Sequence, residues 1–122
     1  MQRSELPVSC FRNKEFPVAI YDLYEIKSSS LEEAKTIAER VGITLEERES
    51  GYHRGPYFAC GEMGEENFEL KINVDPYEDL PNEEEFPNSK ILFYVNNTTR
   101  SDELREALLS FGTVVLLRHE DI

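Results

Sequence analysis

Hydrophobic and polar residues alternate along this chain with two different periods, and each period predicts a type of element. Positions 17–26 read PVAIYDLYEI, with apolar side chains in both alternating sets and Asp22 interrupting one of them. A strand that is apolar on both sides is typical of the middle of a sheet, where both faces are covered. We therefore predict a central strand over 17–26.

The clearest helical signal lies over 30–41. Ser30 followed by Glu33 forms a capping box, in which side chains of the first turn bond its free backbone N–H groups. Apolar residues then recur at the spacing of one helix face, at Leu31, Ala34, Ile37, Ala38 and Val41. Gly42 provides the left-handed residue at which helices commonly end. The pattern predicts a helix over 30–41.

Three shorter strands are predicted in the middle of the chain. Residues 43–49 begin with alternation that points Ile43 and Leu45 inward. A short strand over 57–60 is followed by a turn at 61–66 and a third strand over 68–74. In the third strand the apolar residues are expected to point inward, and these are Phe68, Leu70, Ile72 and Val74. Glu69, Lys71 and Asn73 are expected to point outward. The last two strands are expected to form a hairpin.

The second half of the chain begins with a long connection at 75–89, where three prolines exclude a regular helix or an inner strand. The run 91–95, ILFYV, predicts a buried strand. A second helix follows, capped by Thr99 or Ser101, and the residues on its inner face are Leu104, Ala107, Leu108 and Phe111. The run 113–118 predicts a last buried strand, and 119–122 forms a tail.

This order of elements, β-α-β-β-β-β-α-β, predicts an α+β fold in a single domain over 1–122. We expect a two-layer sandwich in which a mixed sheet of about five strands carries both helices on one face. Residues 1–15 are polar, show no period and are expected to be a loosely ordered lead-in.

Acidic charge is concentrated in one part of the chain. The net charge is −12, and residues 62–85 contain ten acidic residues against a single base, Lys71. This balance argues against direct binding of nucleic acid, which needs basic residues to displace phosphate counterions, and against anionic membrane surfaces. No apolar stretch is long enough to span a bilayer, and the first residues lack a signal-peptide core. With two cysteines, Cys10 and Cys60, a cytoplasmic protein with reduced thiols is expected.

Motifs for catalysis or metal binding are missing from the sequence. It has no nucleophile elbow and no spacing of Cys or His that would hold zinc. A calcium loop beginning at Asp75 would need glycine at its sixth position, which is Leu80. Cys60 is interpreted as a packed strand residue and His119 as a surface residue. We therefore expect no enzyme activity, no metal and no cofactor.

The acidic connection at 75–89 combines carboxylates with aromatic residues, and charge that steers together with aromatic anchors is typical of protein interfaces. The turn before the hairpin, GYHRGPYF at 51–58, adds an aromatic and arginine-containing loop. The candidate partner-binding residues are therefore Asp75, Tyr77, Glu78, Asp79, Glu83, Glu84, Glu85, Tyr52, His53 and Arg54.

Several segments resemble the small acidic immunity proteins of bacterial polymorphic-toxin and contact-dependent growth inhibition systems. The resemblance lies in the residues of 51–58, Glu66–Asn67, Leu70, Phe86–Pro87, 91–95 and Thr99–Arg100. It implies a non-catalytic protein that binds and neutralises a cognate toxin domain in the cytoplasm, and the acidic charge suggests a basic partner such as a nuclease. Two alternatives stay open: a regulatory module that binds a small ligand, and an enzyme without a recognisable motif.

Overall fold

The computed structural model describes residues 19–50, 55–62, 64–73 and 81–121. The elements are β1 (Ile20–Ile26), α1 (Leu31–Arg40), β2 (Glu46–Ser50), β3 (Gly55–Cys60), β4 (Asn67–Ile72), β5 (Ile91–Thr98), α2 (Ser101–Leu109) and β6 (Val114–Asp121). Their order and the α+β class agree with the prediction. The predicted lead-in at 1–15 lies outside the described residues. Within the described residues, neither helix is long and apolar enough to cross a membrane.

The strands of the described residues form one six-stranded sheet in the order β2-β3-β4-β5-β1-β6, and every neighbouring pair is antiparallel. The prediction of a mixed sheet was therefore wrong, whereas the six strands of the predicted order are all present. Neither helix connects two strands that pair with each other. Helix α1 leads from β1 to β2, which lie apart in the sheet, and α2 leads from β5 to β6, with β1 between these two strands. This interleaving is typical of split β-α-β units, in which the intervening strand removes the parallel contact.

Strand β1 occupies an inner position between β5 and β6, as its apolar pattern predicted. Leu23, Tyr24 and Ile26 are almost completely buried. Tyr24 is opposite Phe93 on one side and Leu116 on the other. A β-bulge in the pairing with β6, between Leu23 and Tyr24, interrupts the register and changes which residues of β6 share a face.

Both helices cover the same face of the sheet, which confirms the two-layer prediction. The hydrophobic core joins Ala34 and Ala38 of α1 to Leu104 and Leu108 of α2 through side chains of the strands between them. The strand residues in this core are Tyr24, Ile26, Phe58, Phe68, Leu70, Ile91, Phe93, Val95 and Val114. The other face of the sheet carries no helix among the described residues, and it is the face that the loop before β5 approaches.

The capping signal of α1 is confirmed. The backbone N–H of Glu33 donates to Ser30 Oγ at 3.2 Å, and Glu33 accepts in return from the backbone N–H of Ser29 at 3.0 Å. Helix α2 begins differently from the prediction, because its cap position is Arg100 and no side chain caps it. The Ser101 hydroxyl instead donates to the buried carboxylate of Asp22.

Three further predictions are corrected at the strand ends. Strand β4 ends at Ile72, whose side chain is 46% exposed, and Asn73 is buried although we expected it to point outward. Strand β6 is an edge strand and not a buried one, since only Val114 is fully buried. It continues to Asp121 and thus includes most of the predicted tail. In each case contacts with residues outside the strand's own sequence outweigh the local apolar pattern.

The turn between β3 and β4 depends on glycine. Gly61 has φ of +85°, and a Cβ at this position would lie 2.4 Å from the backbone oxygen of Glu66. Only glycine adopts this conformation without strain and leaves room for the returning chain. The turn therefore places Glu66 in a fixed position, next to the start of α2.

Candidate partner-binding surface

The structure describes three of the ten predicted partner-binding residues, which are Glu83, Glu84 and Glu85. The other seven lie outside the described residues, and they are Tyr52, His53, Arg54, Asp75, Tyr77, Glu78 and Asp79. The described part of the predicted acidic connection, 81–89, forms neither helix nor strand, in agreement with its prolines.

Asn73 organises this connection from the end of β4. Its backbone N–H donates to Lys90 O at 2.9 Å. Its side-chain nitrogen donates to Phe86 O at 2.9 Å and to Ser89 O at 2.8 Å, and its side-chain oxygen accepts from the backbone N–H of Glu83 at 2.8 Å. One buried amide thus satisfies three backbone groups of the connection, which holds the chain in one conformation without regular structure.

Glu83 attaches the same segment to the helix-free face of the sheet. Tyr94 of β5 donates its hydroxyl hydrogen to Glu83 at 2.6 Å, and Arg118 of β6 donates to the other carboxylate oxygen at 3.0 Å. Burial acts to raise the pKa of Glu83, but the hydrogen bonds from Arg118 and Tyr94 outweigh it and lower that pKa. Burial, together with the bond to Glu83, raises the pKa of Tyr94. Glu83 is therefore bound within the protein in its charged form.

Glu84 and Glu85 follow directly and remain on the surface. Glu84 is exposed, and the side chain of Glu85 is 70% exposed with one long contact of 3.4 Å to Arg118. The connection 75–89 contains no lysine or arginine, and from the sequence no base is expected to accompany these acids. The structure shows that two bases from other elements accompany them. Arg118 bonds to Glu83, and the Lys71 ammonium lies 4.9 Å from the centre of the Tyr94 ring. The anchoring carboxylate is thus neutralised locally, while the next two keep their charge exposed.

Two adjoining cavities open on the helix-free face, and both are lined by Tyr21 and Asn96. The larger has a volume of about 590 Å³ and includes Glu62, Asn67 and Glu69 in its lining. The smaller, of about 200 Å³, reaches Tyr94 and Arg118 beside the acidic segment. Ligand sites are usually lined mainly by apolar side chains, and the many polar side chains of the larger cavity do not favour the small-ligand alternative.

A buried polar cluster lies on the opposite, helix-covered face. The carboxylate of Asp22 is completely buried and accepts from Ser101 at 2.6 Å. His119 Nδ1 lies 2.6 Å from the second oxygen of Asp22, and His119 Nε2 lies 3.2 Å from Asp121. We assign a proton to Nδ1 because the carboxylate of Asp22 can only accept there. Arg105, 2.9 Å from Nδ1, then contributes positive charge and not a hydrogen bond.

This cluster joins Ser, His and Asp residues, but their arrangement is not that of a catalytic triad. In a triad the histidine lies between the acid and the nucleophile and removes the proton of the nucleophile. Here the carboxylate of Asp22 lies in the middle, and both Ser101 and His119 bond to it. Among the described residues, no group of His, Cys, Asp and Glu side chains is arranged to hold a metal ion. The geometry therefore indicates that this cluster has a structural role, in which Asp22 of β1 is bonded to both α2 and β6.

Glu66 connects the β3–β4 turn to the start of α2. It accepts two hydrogen bonds from Arg100, at 2.8 and 2.9 Å, and a third from the Thr98 hydroxyl at 2.6 Å. The bonds from Arg100 are the main cause of a lowered pKa of Glu66. Glu66 and Arg100 both belong to the segments that carry the resemblance to immunity proteins. In the structure they connect the β3–β4 turn to the start of α2.

We expect the stability of the protein to fall at acid pH partly because of Glu66. A carboxyl group whose pKa is lower in the folded state stabilises the protein above its unfolded pKa, about 4.3 for glutamate, and this contribution is lost as the pH falls through the folded value. Glu66→Gln should therefore be less stable at neutral pH and should lose less stability on acidification. The melting temperature of Glu66→Gln and of the unchanged protein would be measured at several pH values between neutral and acid. An equal fall of the melting temperature with pH in the two proteins would contradict this prediction.

The sequence matches no protein-family model. No similar curated protein and no similar solved structure was found.

Sequence reasoning missed three residues that determine this geometry. Asn73 was expected to point outward from its strand and Arg118 to end a buried strand, and nothing near either residue in the sequence indicated its partners. Asp22 gave a usable signal, since a charged residue within an apolar strand needs a partner when the strand is central. His119, two residues after the apolar run 114–117, is that partner.

Proposed function

We propose that this protein is a non-catalytic inhibitor that binds a basic toxin domain in the cytoplasm, in the manner of an immunity protein. The observation that supports this proposal best is that three consecutive glutamates lie in different environments. Glu83 is bonded to the sheet, whereas Glu84 and Glu85 project their carboxylates into solvent. Within the proposal, the predicted contacts at Asp75, Tyr77, Glu78 and Asp79 precede this site in the chain.

A charged segment held in one conformation suits binding for two physical reasons. Carboxylates on a surface attract a basic partner over a distance, which raises the rate of association. A segment whose backbone is already ordered by Asn73 loses less conformational entropy when the partner binds. A charged face that served only for solubility would need neither the buried Asn73 nor the Glu83 anchor.

The chemistry of the described residues supports binding over catalysis. The Ser101 hydroxyl and the His119 Nδ1 group are both bonded to Asp22, so this histidine does not activate that serine. Cys60 is half-buried in strand β3. Nucleophilic catalysis needs a nucleophile within reach of a base, and these residues do not provide that pair.

Co-expression tests the proposed function. The C-terminal domain of the protein encoded immediately upstream would be produced in a bacterial host with and without this chain. We expect growth to stop when the domain is produced alone and to be restored when this chain is present. A toxic domain that still stops growth in the presence of this chain would refute the proposal, and so would an upstream product that is neither toxic nor bound.

Charge reversal at Glu84 and Glu85 should slow association with that domain by about tenfold at low salt, because both lie at the proposed contact. The matched control reverses Glu32 and Glu39 on α1, which changes the net charge equally on the opposite face. Stopped-flow fluorescence at two salt concentrations would measure both rates. Equal slowing by the two double variants would show that net charge alone matters and not this site. Glu83 is left unchanged, because its substitution would also release the segment.

A further inference from the structure

The two edges of the sheet differ in how open they are to another strand. Strand β2 at one edge has five residues, and the side chains of Glu46, Glu47 and Arg48 are all charged. Strand β6 at the other edge has eight residues and begins with the apolar run 114–117. Charged side chains and short length protect edge strands from pairing with other chains. The first half of β6 has neither protection.

The backbone of β6 presents unpaired groups on its outer side. The N–H of Lys27 donates to Thr113 O, so the peptide groups of Thr113 face β1. Because backbone direction alternates along an antiparallel strand, Val115 also faces β1, and the backbone groups of Val114 and Leu116 point away from the sheet. The N–H of Val114 donates to Phe111 O at 3.1 Å, so the groups open to a further strand are the C=O of Val114 and the N–H and C=O of Leu116. No described strand lies beyond β6. This edge can therefore accept a further strand through backbone hydrogen bonds.

The charge around this edge indicates what such a strand would carry. The exposed acidic residues of α2 and β6 are Asp102, Glu103, Glu106, Glu120 and Asp121. The two bases of these elements are already engaged, Arg105 beside His119 and Arg118 with Glu83. A second copy of this chain would bring its own net charge of −12 against the same acids. An extended basic segment has the complementary charge.

We propose that β6 accepts an extended, basic segment of the protein partner as a seventh strand. The identity of this occupant rests on the proposed function, whereas the open edge itself does not. The added strand would alternate apolar residues, which cover Val115 and Leu117, with lysine or arginine residues that approach the acidic residues of α2 and β6. The acidic segment at 83–85 would then attract the partner, and β6 would fix its orientation.

Peptide titration tests this inference directly. The probe is a seven-residue peptide in which lysine and valine alternate, added to the ¹⁵N-labelled full chain. One control contains the same residues as a block of lysines followed by a block of valines, and another replaces each lysine by glutamate. We expect saturable shifts along β6 and slower hydrogen exchange at the amide of Leu116 with the alternating basic peptide only. Equal effects of the block peptide, or no saturable effect at β6, would overturn the inference.

Substitutions at one exposed position of the strand give a second readout. Val115 is 36% exposed, so lysine or glutamate there disturbs the core little. Both substitutions remove the apolar contact at Val115, but only lysine adds repulsion, so Val115→Lys should weaken binding of the alternating basic peptide about tenfold more than Val115→Glu does. If both variants bind equally, the charge argument is wrong. A concentration-dependent dimer of the free chain that Val115→Lys abolishes would instead assign the edge to a second copy.

The outcomes separate this inference from the proposed function. Restored growth in co-expression combined with failure of the peptide test would refute the β6 site and leave the inhibitor proposal standing. Binding of the peptide at β6 without restored growth would refute the inhibitor proposal and leave an edge that accepts basic strands.

Discussion

Replacing Asn73 by aspartate is expected to lower the free energy of unfolding by about 3 kcal/mol. The side chain keeps its size, but its nitrogen becomes an oxygen that faces the carbonyl oxygens of Phe86 and Ser89. Ser89 O loses its side-chain donor, Phe86 O keeps only the hydrogen bond from the Ser89 N–H, and a negative charge is placed beside both at a position that is 7% exposed. Urea denaturation at neutral pH would measure the loss.

Asn88→Asp is the matched control for this experiment. Asn88 belongs to the same connection and is exposed, so the same chemical change should cost less than about 0.5 kcal/mol. The Asn73→Asp protein should also protect less well against the toxin domain than the Asn88→Asp protein, because Glu84 and Glu85 lose their fixed position. If the two variants are equally stable, Asn73 does not organise the segment.

Replacing His119 by alanine should lower the free energy of unfolding by about 2 kcal/mol, less than the cost at a fully buried site. Removal of one partner from a fully buried ion pair typically costs about 3–5 kcal/mol. His119 is 35% exposed, so water can reach the site and reduce the penalty. The completely buried carboxylate of Asp22 would keep the hydrogen bond from Ser101 but lose its imidazole donor. Thermal and chemical unfolding would both report the change.

A double-mutant cycle with Asp22→Asn isolates this interaction. In the Asp22→Asn background the carboxylate charge is absent, and His119→Ala should cost at least about 1 kcal/mol less than in the unchanged protein. Asp121→Asn serves as the exposed control, and it should change stability by less than about 0.5 kcal/mol because the Asp121 side chain is 65% exposed. Equal costs of His119→Ala in both backgrounds would show that the histidine stabilises the fold through packing alone.

Elements with signals inside their own sequence could be predicted. The capping box and the apolar spacing of α1 involve residues no more than a few positions apart, and the helix begins after Ser30 as expected. The two apolar sets of β1 indicated an inner strand, and burial of Leu23 and Tyr24 confirms this. In both cases the physical cause of the structure lies within one turn of helix or one strand.

Features that depend on distant residues could not be predicted. The outward position assigned to Asn73 followed from simple alternation, but β4 ends one residue earlier and the amide turns inward to bond 83–89. The acidic segment was interpreted as free of bases, whereas Arg118 reaches Glu83 from a strand 35 residues later. The antiparallel sheet was missed for the same reason, since neither helix connects neighbouring strands.

The position of β1 in the sheet also determines when this protein can fold during its synthesis. Strands β2, β3 and β4 pair with their sequence neighbours, but β1 pairs only with β5 and β6. Contacts between residues far apart in sequence form slowly. On the ribosome, the most apolar strand of the amino-terminal half must therefore remain unpaired until residues 91–121 have emerged. The partners that complete β1 thus arrive after β2, β3 and β4, and they include His119, which bonds to the buried carboxylate of Asp22.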